Sequence, residues 1–187
     1  NITLVFNDLD TMPYVKNFLN YETVPGKVKH FYGFKFALGG IVSIQAGDFE
    51  YIRGFPNFWA WGYEDNMLNN RVLQANMKID RDVFFSIANE NILNLNNGML
   101  RTINRAEFER FAKNTPEGWQ NIRNLQYTIE DDAEYPGMAM VQVTNFSTGT
   151  EINKNATVVH DLRNGNKPFH AGRNGRVPAM DMVMFRR

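Results

Sequence analysis

The feature that most constrains this chain is the stretch WAWGYED at residues 59–65, which runs directly into an amphipathic segment. Apolar residues at Met67, Leu68, Val72 and Leu73 recur at helical spacing and predict a helix over 64–76 with one apolar face. The acids at 64 and 65 fall in the first turn of that helix. The pattern therefore predicts two carboxylates at a helix N-terminus, directly after a pair of indoles.

Two interpretations of this stretch remain open. Acids in a first helical turn are stabilised by about 0.3–1 kcal/mol each, because the unpaired N–H groups there carry partial positive charge. Alternatively, Trp59, Trp61 and Tyr63 form a flat apolar platform for a sugar ring, while Glu64 and Asp65 bind its hydroxyls. Aromatic side chains most often belong to the core, so the platform needs support from elsewhere in the sequence.

The chain opens with a strand that ends in two aspartates. Residues 2–6 are apolar without alternation, which predicts a strand buried on both faces of a sheet flanked by helices. Asp8 and Asp10 follow it, and because side chains alternate along an extended segment, the two carboxylates point the same way. Ligands of open α/β sheets bind beyond such strand ends, and Mg²⁺ or Mn²⁺ typically takes one or two carboxylates plus phosphates. The competing explanation is that these aspartates merely start a turn.

The remaining segments predict a mixed α/β chain. Irregular strand and loop are expected over 27–36, and strands over 41–44 and 79–87. Helices are expected over 48–53 and 105–113, an asparagine-rich loop over 89–97, and a hairpin from 125–129 and 138–143. Periodicity fades after Phe146. We therefore expect a domain at 1–146 and an extension at 147–187 wrapped on it.

Composition excludes several classes of function. The 187 residues include 20 basic and 20 acidic side chains, so net charge gives no reason to expect a nucleic-acid partner. No apolar run reaches the length of a transmembrane helix. The chain has no cysteine, which leans away from an oxidising compartment. We expect a cytoplasmic protein from a bacterial or viral setting, whereas the family resemblance given in the next paragraph implies the Golgi lumen as the alternative.

Three blocks in order carry a resemblance to a known family. They are GGIVS at 39–43, GFPN at 54–57 and WAWGYED at 59–65. Their order and spacing resemble the β-1,4-galactosyltransferase family, inverting enzymes of the GT-A fold that use a UDP-sugar and manganese. The segment FNDLDTMP at 6–13 also resembles the strand and metal motif of that family.

The resemblance implies a role for each site residue. Asp10 would be a ligand of Mn²⁺ or Mg²⁺, and Asp8 would contact the sugar or ribose of the donor. Asp65 would act as the general base that takes the proton of an acceptor hydroxyl, with Glu64 helping to bind acceptor or donor. The implied donor site comprises Asp8, Asp10, Gly39, Gly40 and Trp61, and the implied acceptor site comprises Trp59, Trp61, Tyr63, Glu64 and Asp65.

The sequence departs from the family pattern at several positions. The family has glycine where Ala60 and Tyr63 stand, and an acid where Asn66 stands. The family's histidine metal ligand falls at Asn94, and its methionine at Asn91. The third ligand is therefore expected to be the amide oxygen of Asn94, or a histidine of the extension, His160 or His170; otherwise metal affinity is low.

The position of the opening strand makes two functions possible. In the resembled fold a nucleotide-binding half precedes this strand, so we expect a GT-A-like mixed sheet that lacks that half. An upstream segment would then supply it. The first hypothesis is a metal-dependent inverting transferase that moves galactose or a related hexose from a UDP-sugar to a carbohydrate hydroxyl. The second is a non-catalytic carbohydrate-binding or structural module derived from such an enzyme.

Overall fold

The computed structural model describes residues 2–95, 98–111, 115–164 and 169. The strands are β1 (Thr3–Asn7), β2 (Thr11–Pro13), β3 (Lys27–Gly33), β4 (Ile41–Gln45), β5 (Lys78–Asp80), β6 (Phe85–Ser86), β7 (Ile92–Asn94), β8 (Leu100–Asn104), β9 (Arg123–Asp131), β10 (Ala139–Ser147) and β11 (Thr157–Asp161). The helices are α1 (Ala46–Tyr51), α2 (Glu64–Gln74) and α3 (Arg105–Phe111), with short 3₁₀ turns at Trp119–Asn121, Lys154–Ala156 and Leu162–Asn164.

The main sheet has five strands and is mixed, as the sequence predicts. Its order is β1-β4-β3-β5, and β6 also pairs with β3. β4 is antiparallel to both β1 and β3, whereas β5 and β6 run parallel to β3. All five residues of β4 are buried, because it has a strand on either side. The expected α/β fold with a mixed sheet is confirmed.

The opening strand differs from its prediction in one respect. Residues 3–7 form β1, but among the described strands it pairs with β4 alone and so lies at the edge of the sheet. Val5 is 43% exposed. The expectation of burial on both faces was wrong, because an uninterrupted apolar run does not reveal whether both faces of a strand are covered.

Helix α2 packs on the sheet through the predicted face. Met67, Leu68 and Val72 are fully buried, while Leu73 is 54% exposed. Leu68 and Val72 join a core with side chains of β3 and β4, including Val28, Val42 and Ile44. Burying a side chain of this kind contributes about 1.5–3 kcal/mol, so this contact fixes where the N-terminus of the helix lies.

Two smaller pairings surround the sheet. β2 pairs with β7, with Thr11 opposite Asn94, so the loop expected over 89–97 contains a strand. The loop prediction was wrong there because asparagine is unfavourable in strands and concealed the short apolar centre. β8 pairs with β11, which ties residues 157–161 to the body of the protein.

The predicted hairpin is confirmed. β9 and β10 pair antiparallel, and both strands are longer than expected. The expected boundary at residue 146 falls inside β10, and the division into 1–146 and 147–187 stays a prediction. In the part of the chain that is described, no helix is both long and apolar enough to span a membrane.

Candidate active site

One cavity of about 590 Å³ collects most of the predicted site residues. It opens between the end of β1, the turn before β4 and the N-terminus of α2. Of the predicted residues, the following line it: Asp8, Asp10, Gly39, Gly40, Trp61, Tyr63, Glu64, Asp65 and Asn94. The two acidic pairs, which are far apart in the sequence, therefore face the same space.

Backbone hydrogen bonds hold the first acidic pair in place. The Asp8 N–H donates to the Gly40 carbonyl at 2.9 Å, which ties the end of β1 to the glycine turn. The side-chain amide of Asn7 donates to the carbonyls of Asp8 and Thr11 at 2.7 Å each. The Leu95 N–H donates to the Asp10 carbonyl at 2.7 Å. The turn is therefore fixed from several sides while its carboxylates line the cavity.

The second acidic pair lies in the first turn of α2. The Leu38 N–H donates to the Asp65 carbonyl at 3.0 Å, so the glycine turn and the helix start are joined as well. Burial, followed by repulsion from Glu64 and Asp8, raises the pKa of Asp65 well above its usual value. Burial also raises the pKa of Glu64, with a contribution from Asp8. Partial desolvation and the neighbouring Asp10 raise the pKa of Asp8.

Gly39 is required by the approach of Asp65. A Cβ added at position 39 would lie 2.0 Å from Oδ2 of Asp65, well inside contact distance. Gly40 has a φ of +75°, and a Cβ there would lie 2.3 Å from the Tyr32 carbonyl oxygen. The glycine pair therefore lets the turn come close to both the carboxylate and the strand beneath it.

One carboxylate oxygen of Glu64 is buried beside the cavity. Its Oε2 atom is buried and has no hydrogen-bond partner among the described residues, although the side chain lines the cavity. Leaving a buried polar atom unpaired costs about 1–3 kcal/mol. A ligand hydroxyl in the cavity would satisfy it.

Trp61 is held against a strand that supplies the cavity with a positive charge. The backbone N–H of Trp61 donates to the Thr102 carbonyl of β8 at 2.8 Å. The guanidinium carbon of Arg101, also on β8, lies 5.5 Å from the centre of the Trp61 ring. Among the described residues that line the cavity, Arg101 is the one with a positively charged side chain. The sequence analysis missed it, because a single arginine in a segment without clear periodicity gives no local signal.

Four predicted residues need separate mention, because three do not line the cavity within the described residues and Tyr63 lines it while packing against α3. Trp59 is not among the lining residues, and its backbone N–H donates to the Glu107 carboxylate of α3 at 3.2 Å. His160 lies on β11, opposite Arg101, and is not a lining residue. His170 lies outside the described residues. Tyr63 lines the cavity and packs edge-on against Phe108, with ring centres 4.9 Å apart.

Comparisons with known proteins agree with this arrangement. A family model described as the N-terminal domain of galactosyltransferase matches residues 24–92. β-1,4-Galactosyltransferase 5 of Sus scrofa is 29% identical over 161 residues, which cover 79% of this chain and 41% of the relative. β-1,4-Galactosyltransferase 6 of Homo sapiens is 34% identical over 89 residues, covering 42% of this chain and 23% of the relative. The chain is therefore similar to β-1,4-galactosyltransferases over 79% of its length.

A solved structure of a galactosyltransferase shares the fold. A crystal structure of a mutant Drosophila β-1,4-galactosyltransferase 7 contains manganese, UDP-Gal and xylobiose. It matches with a TM-score of 0.58 at 17% identity, over 81% of this chain and 69% of that chain. The fold is therefore the GT-A fold of the galactosyltransferases. The matched part of the chain spans only 41% of the length of the Sus scrofa relative.

The expected cellular setting was wrong. The relatives come from pig, mouse, human and other animals, and these galactosyltransferases are Golgi enzymes. A bacterial or viral cytoplasmic setting is therefore not supported. The absence of cysteine misled the prediction, because a chain that can build a sizeable hydrophobic core does not need disulfides in any compartment.

The departures from the galactosyltransferase pattern leave a trace in the backbone. Ala60 has a φ of 111° and Tyr63 a φ of 83°, in the region that glycine adopts most easily. These are the two positions where the family has glycine. The loop thus keeps a glycine-like path with larger residues in it, at a cost of order 1–3 kcal/mol for each. Asn66 is buried, and its side-chain amide donates weakly to the Phe36 carbonyl at 3.4 Å.

The residues around Asp10 offer oxygen ligands for a hard cation. Asp8, Asp10 and Asn94 all line the cavity. Asn94 is paired with Thr11, the residue that follows Asp10 in the chain. The amide nitrogen of Asn94 donates to the Tyr32 hydroxyl at 3.1 Å, which fixes the side chain. Within the described ranges, no three His, Cys, Asp or Glu side chains are grouped for metal binding. The donor set fits Mn²⁺ or Mg²⁺ only where a ligand diphosphate supplies further oxygens.

Proposed function

We propose that this chain is the catalytic and acceptor-binding part of a metal-dependent inverting glycosyltransferase. It would transfer galactose or a related hexose from a UDP-sugar to a hydroxyl of a carbohydrate acceptor. The observation that carries the proposal is the convergence of two acidic pairs, Asp8 with Asp10 and Glu64 with Asp65, on one cavity beside Trp61. The family relationship supports the same reaction class.

In this proposal the chain's own residues handle the acceptor. Trp61 stacks on the apolar face of the acceptor sugar, and Oε2 of Glu64 accepts a hydrogen bond from one of its hydroxyls. Asp65 takes the proton of the attacking hydroxyl as its oxygen bonds to the anomeric carbon and the bond from that carbon to the diphosphate breaks. A general base works best with a pKa near the working pH, and burial moves Asp65 in that direction.

On the donor side, Asp10 and the amide oxygen of Asn94 would hold the metal, and Asp8 would contact the sugar or ribose of the donor. When bound, Mn²⁺ or Mg²⁺ neutralises the charge that develops on the departing diphosphate. Gly39 and Gly40 leave room for the donor next to these acids. Any further contacts to the nucleotide would come from a segment beyond this chain.

The decisive experiment measures transfer from a UDP-sugar with and without Mn²⁺, in the longest natural protein that contains this sequence. Asp65→Asn should lower kcat by about 10²–10⁴-fold, the usual contribution of a general base. Asp82→Asn is the matched control, since that carboxylate is exposed and not among the lining residues. An unchanged rate in Asp65→Asn would refute the mechanism.

A second function is favoured by one observation, that Asn94 lines the cavity at the position where the family pattern has its histidine metal ligand. A non-catalytic carbohydrate-binding module would keep the acceptor side and lose the donor side. Calorimetry separates the two proposals. Such a module binds an oligosaccharide but neither UDP nor Mn²⁺, whereas the transferase binds all three.

A further inference from the structure

A fully buried histidine lies behind the glycine turn of the candidate active site. His30 is on β3, and its side chain has no exposed surface. Its Nε2–H donates to the Tyr32 carbonyl at 3.0 Å and to the Gly39 carbonyl at 3.1 Å. One proton thus joins the end of β3 to the first glycine of the turn that leads into β4.

Arg81 determines which nitrogen of His30 carries that proton. Its Nε donates to Nδ1 of His30 at 3.0 Å, and a guanidinium has no acceptor to offer in return. Nδ1 is therefore the acceptor of the ring, and the proton lies on Nε2. The Phe84 ring packs against both partners, with its centre 4.9 Å from that of His30 and 6.0 Å from the guanidinium carbon. The donor is thus held toward the two carbonyls.

The shared proton matters because the two backbone segments approach each other closely. A Cβ added at Gly33 would lie 2.7 Å from the Gly39 carbonyl oxygen, and one at Gly40 would lie 2.3 Å from the Tyr32 carbonyl oxygen. Two carbonyl oxygens that converge on one point carry like partial charges, so removing the proton between them favours their separation. Without the histidine donor, the turn should move away from β3.

The same turn is in contact with both acidic pairs. A Cβ at Gly39 would lie 2.0 Å from Oδ2 of Asp65, so this carboxylate rests directly on the backbone of the turn. The Leu38 N–H donates to the Asp65 carbonyl at 3.0 Å, and the Gly40 carbonyl accepts from the Asp8 N–H at 2.9 Å. A displacement of the turn would therefore be passed on to the Asp65 carboxylate.

We propose that His30 is a positioning residue for sugar transfer, which holds the turn on which the proposed base, Asp65, rests. The inference rests on the proposed function, because Asp65 is a base only in that reaction. His30 itself touches no substrate and takes no proton; it acts through the Gly39 carbonyl. Misplacing a reacting group by about 1 Å can cost a factor of about 10² in rate, so a small shift of the turn is enough to matter.

Kinetics of three variants test the proposal in the longest natural protein that contains this sequence. His30→Leu removes the donor and should lower kcat about tenfold or more, with little change in the KM for the acceptor, which Trp61 and Glu64 bind. His30→Gln keeps a donor and an acceptor and should restore kcat to within about threefold of the wild type. Phe31→Leu is the matched control, since it removes buried contacts from the same strand, including that with the Tyr21 ring at 5.4 Å. It should leave kcat unchanged.

Two kinetic outcomes would overturn the proposal. One is a wild-type kcat in His30→Leu. The other is an equal loss of kcat in His30→Leu and Phe31→Leu, which would mean that any damage to β3 has the same effect and that the hydrogen bond to Gly39 has no special role.

A second measurement needs no turnover, so its failure and that of the proposed function can be told apart. The carboxyl carbon of Asp65, labelled with ¹³C and assigned with Asp65→Asn, reports the pKa of this group in an NMR titration. Burial, followed by the charges of Glu64 and Asp8, raises that pKa, and both neighbours are unchanged in the variants. A displaced turn exposes the carboxylate to water, so its pKa should fall in His30→Leu but not in His30→Gln. The same pKa in all three proteins would overturn the proposal, even where the wild type transfers no sugar.

Discussion

At the scale of single residues, the site depends on a place where a side chain is missing. Gly39 lies so close to Asp65 that even a methyl group would collide with the carboxylate. The position of the proposed base is thus set partly by a residue with no functional group of its own. The family resemblance placed the glycine pair in the donor site, and the structure shows that Gly39 lies against the Asp65 carboxylate.

Gly39→Ala should therefore impair the site. The added Cβ must displace the Asp65 carboxylate, so kcat should fall by at least tenfold even where the protein stays folded. Gly47→Ala is the matched control, because a Cβ there meets nothing within 4 Å, and alanine is favoured in helix α1. Turnover and unfolding midpoints of both variants check this. Equal activity in the two variants would rule out the steric argument.

Ala60 gives a prediction of the opposite sign. Its φ of 111° is unfavourable for alanine, so Ala60→Gly should relieve backbone strain. The gain in the free energy of unfolding is about 1 kcal/mol, after the greater flexibility of glycine in the unfolded chain is subtracted. Ala106→Gly, inside α3, should instead lose about 0.5–1 kcal/mol. Urea denaturation measures both, and a loss in Ala60→Gly would show that the loop is not strained.

At the scale of elements, a buried histidine joins β3 to the glycine turn. The Nε2–H of His30 donates to the carbonyls of Tyr32 and Gly39 at 3.0 and 3.1 Å, and its Nδ1 accepts from Arg81 Nε at 3.0 Å. This set of partners requires the neutral ring with its proton on Nε2. Burial, followed by the charge of Arg81, lowers the pKa of His30 to about 4.

Stability should consequently fall as the solution is acidified. Between about pH 6.5 and pH 4 the unfolded chain binds a proton at His30 and the folded protein does not, so the free energy of unfolding decreases with decreasing pH. The full loss is about 3 kcal/mol and is complete below pH 4. His30→Gln keeps a donor and an acceptor but does not titrate.

The measurement compares chemical denaturation of the wild type and His30→Gln at pH 7 and pH 4.5. Subtracting the two proteins removes the contribution of the carboxylates, which titrate in both. The wild type should lose about 2–3 kcal/mol more than the variant over this interval. Equal losses would mean that His30 is protonated in the folded protein.

The sequence predicted elements well where one apolar pattern dominates. Helix α2 and the hairpin follow from periodicity alone, since their side-chain spacing matches only one type of element. Two results were out of reach. The edge position of β1 depends on which strands are its neighbours, and the place of Arg101 at the cavity depends on the contact of β8 with Trp61. Both are set by contacts between distant segments.

At the scale of the whole molecule, the cavity concentrates negative charge. Asp8, Asp10, Glu64 and Asp65 all line it, and Asp8 repels both acids of α2. Arg101 offsets only part of this charge. A divalent cation would relieve the repulsion and should therefore bind the folded state in preference to the unfolded chain.

Mn²⁺ in the presence of UDP should accordingly raise the unfolding temperature. At a free concentration of 100 times Kd the stabilisation is about 2.7 kcal/mol. Differential scanning calorimetry should show this rise in the wild type and in Asp82→Asn, and should show it reduced or lost in Asp10→Asn. If Asp10→Asn retains the full rise, the cation binds elsewhere and Asp10 is not its ligand.

The contact between Gly39 and Asp65 also limits how this protein can change over time. A methyl group at position 39 becomes tolerable only once the carboxylate at position 65 has gone, so the two positions cannot drift independently. We expect descendants that abandon catalysis to lose the acid first and the glycine afterwards. A surviving glycine at 39 would then mark a lineage in which the acid is still in use.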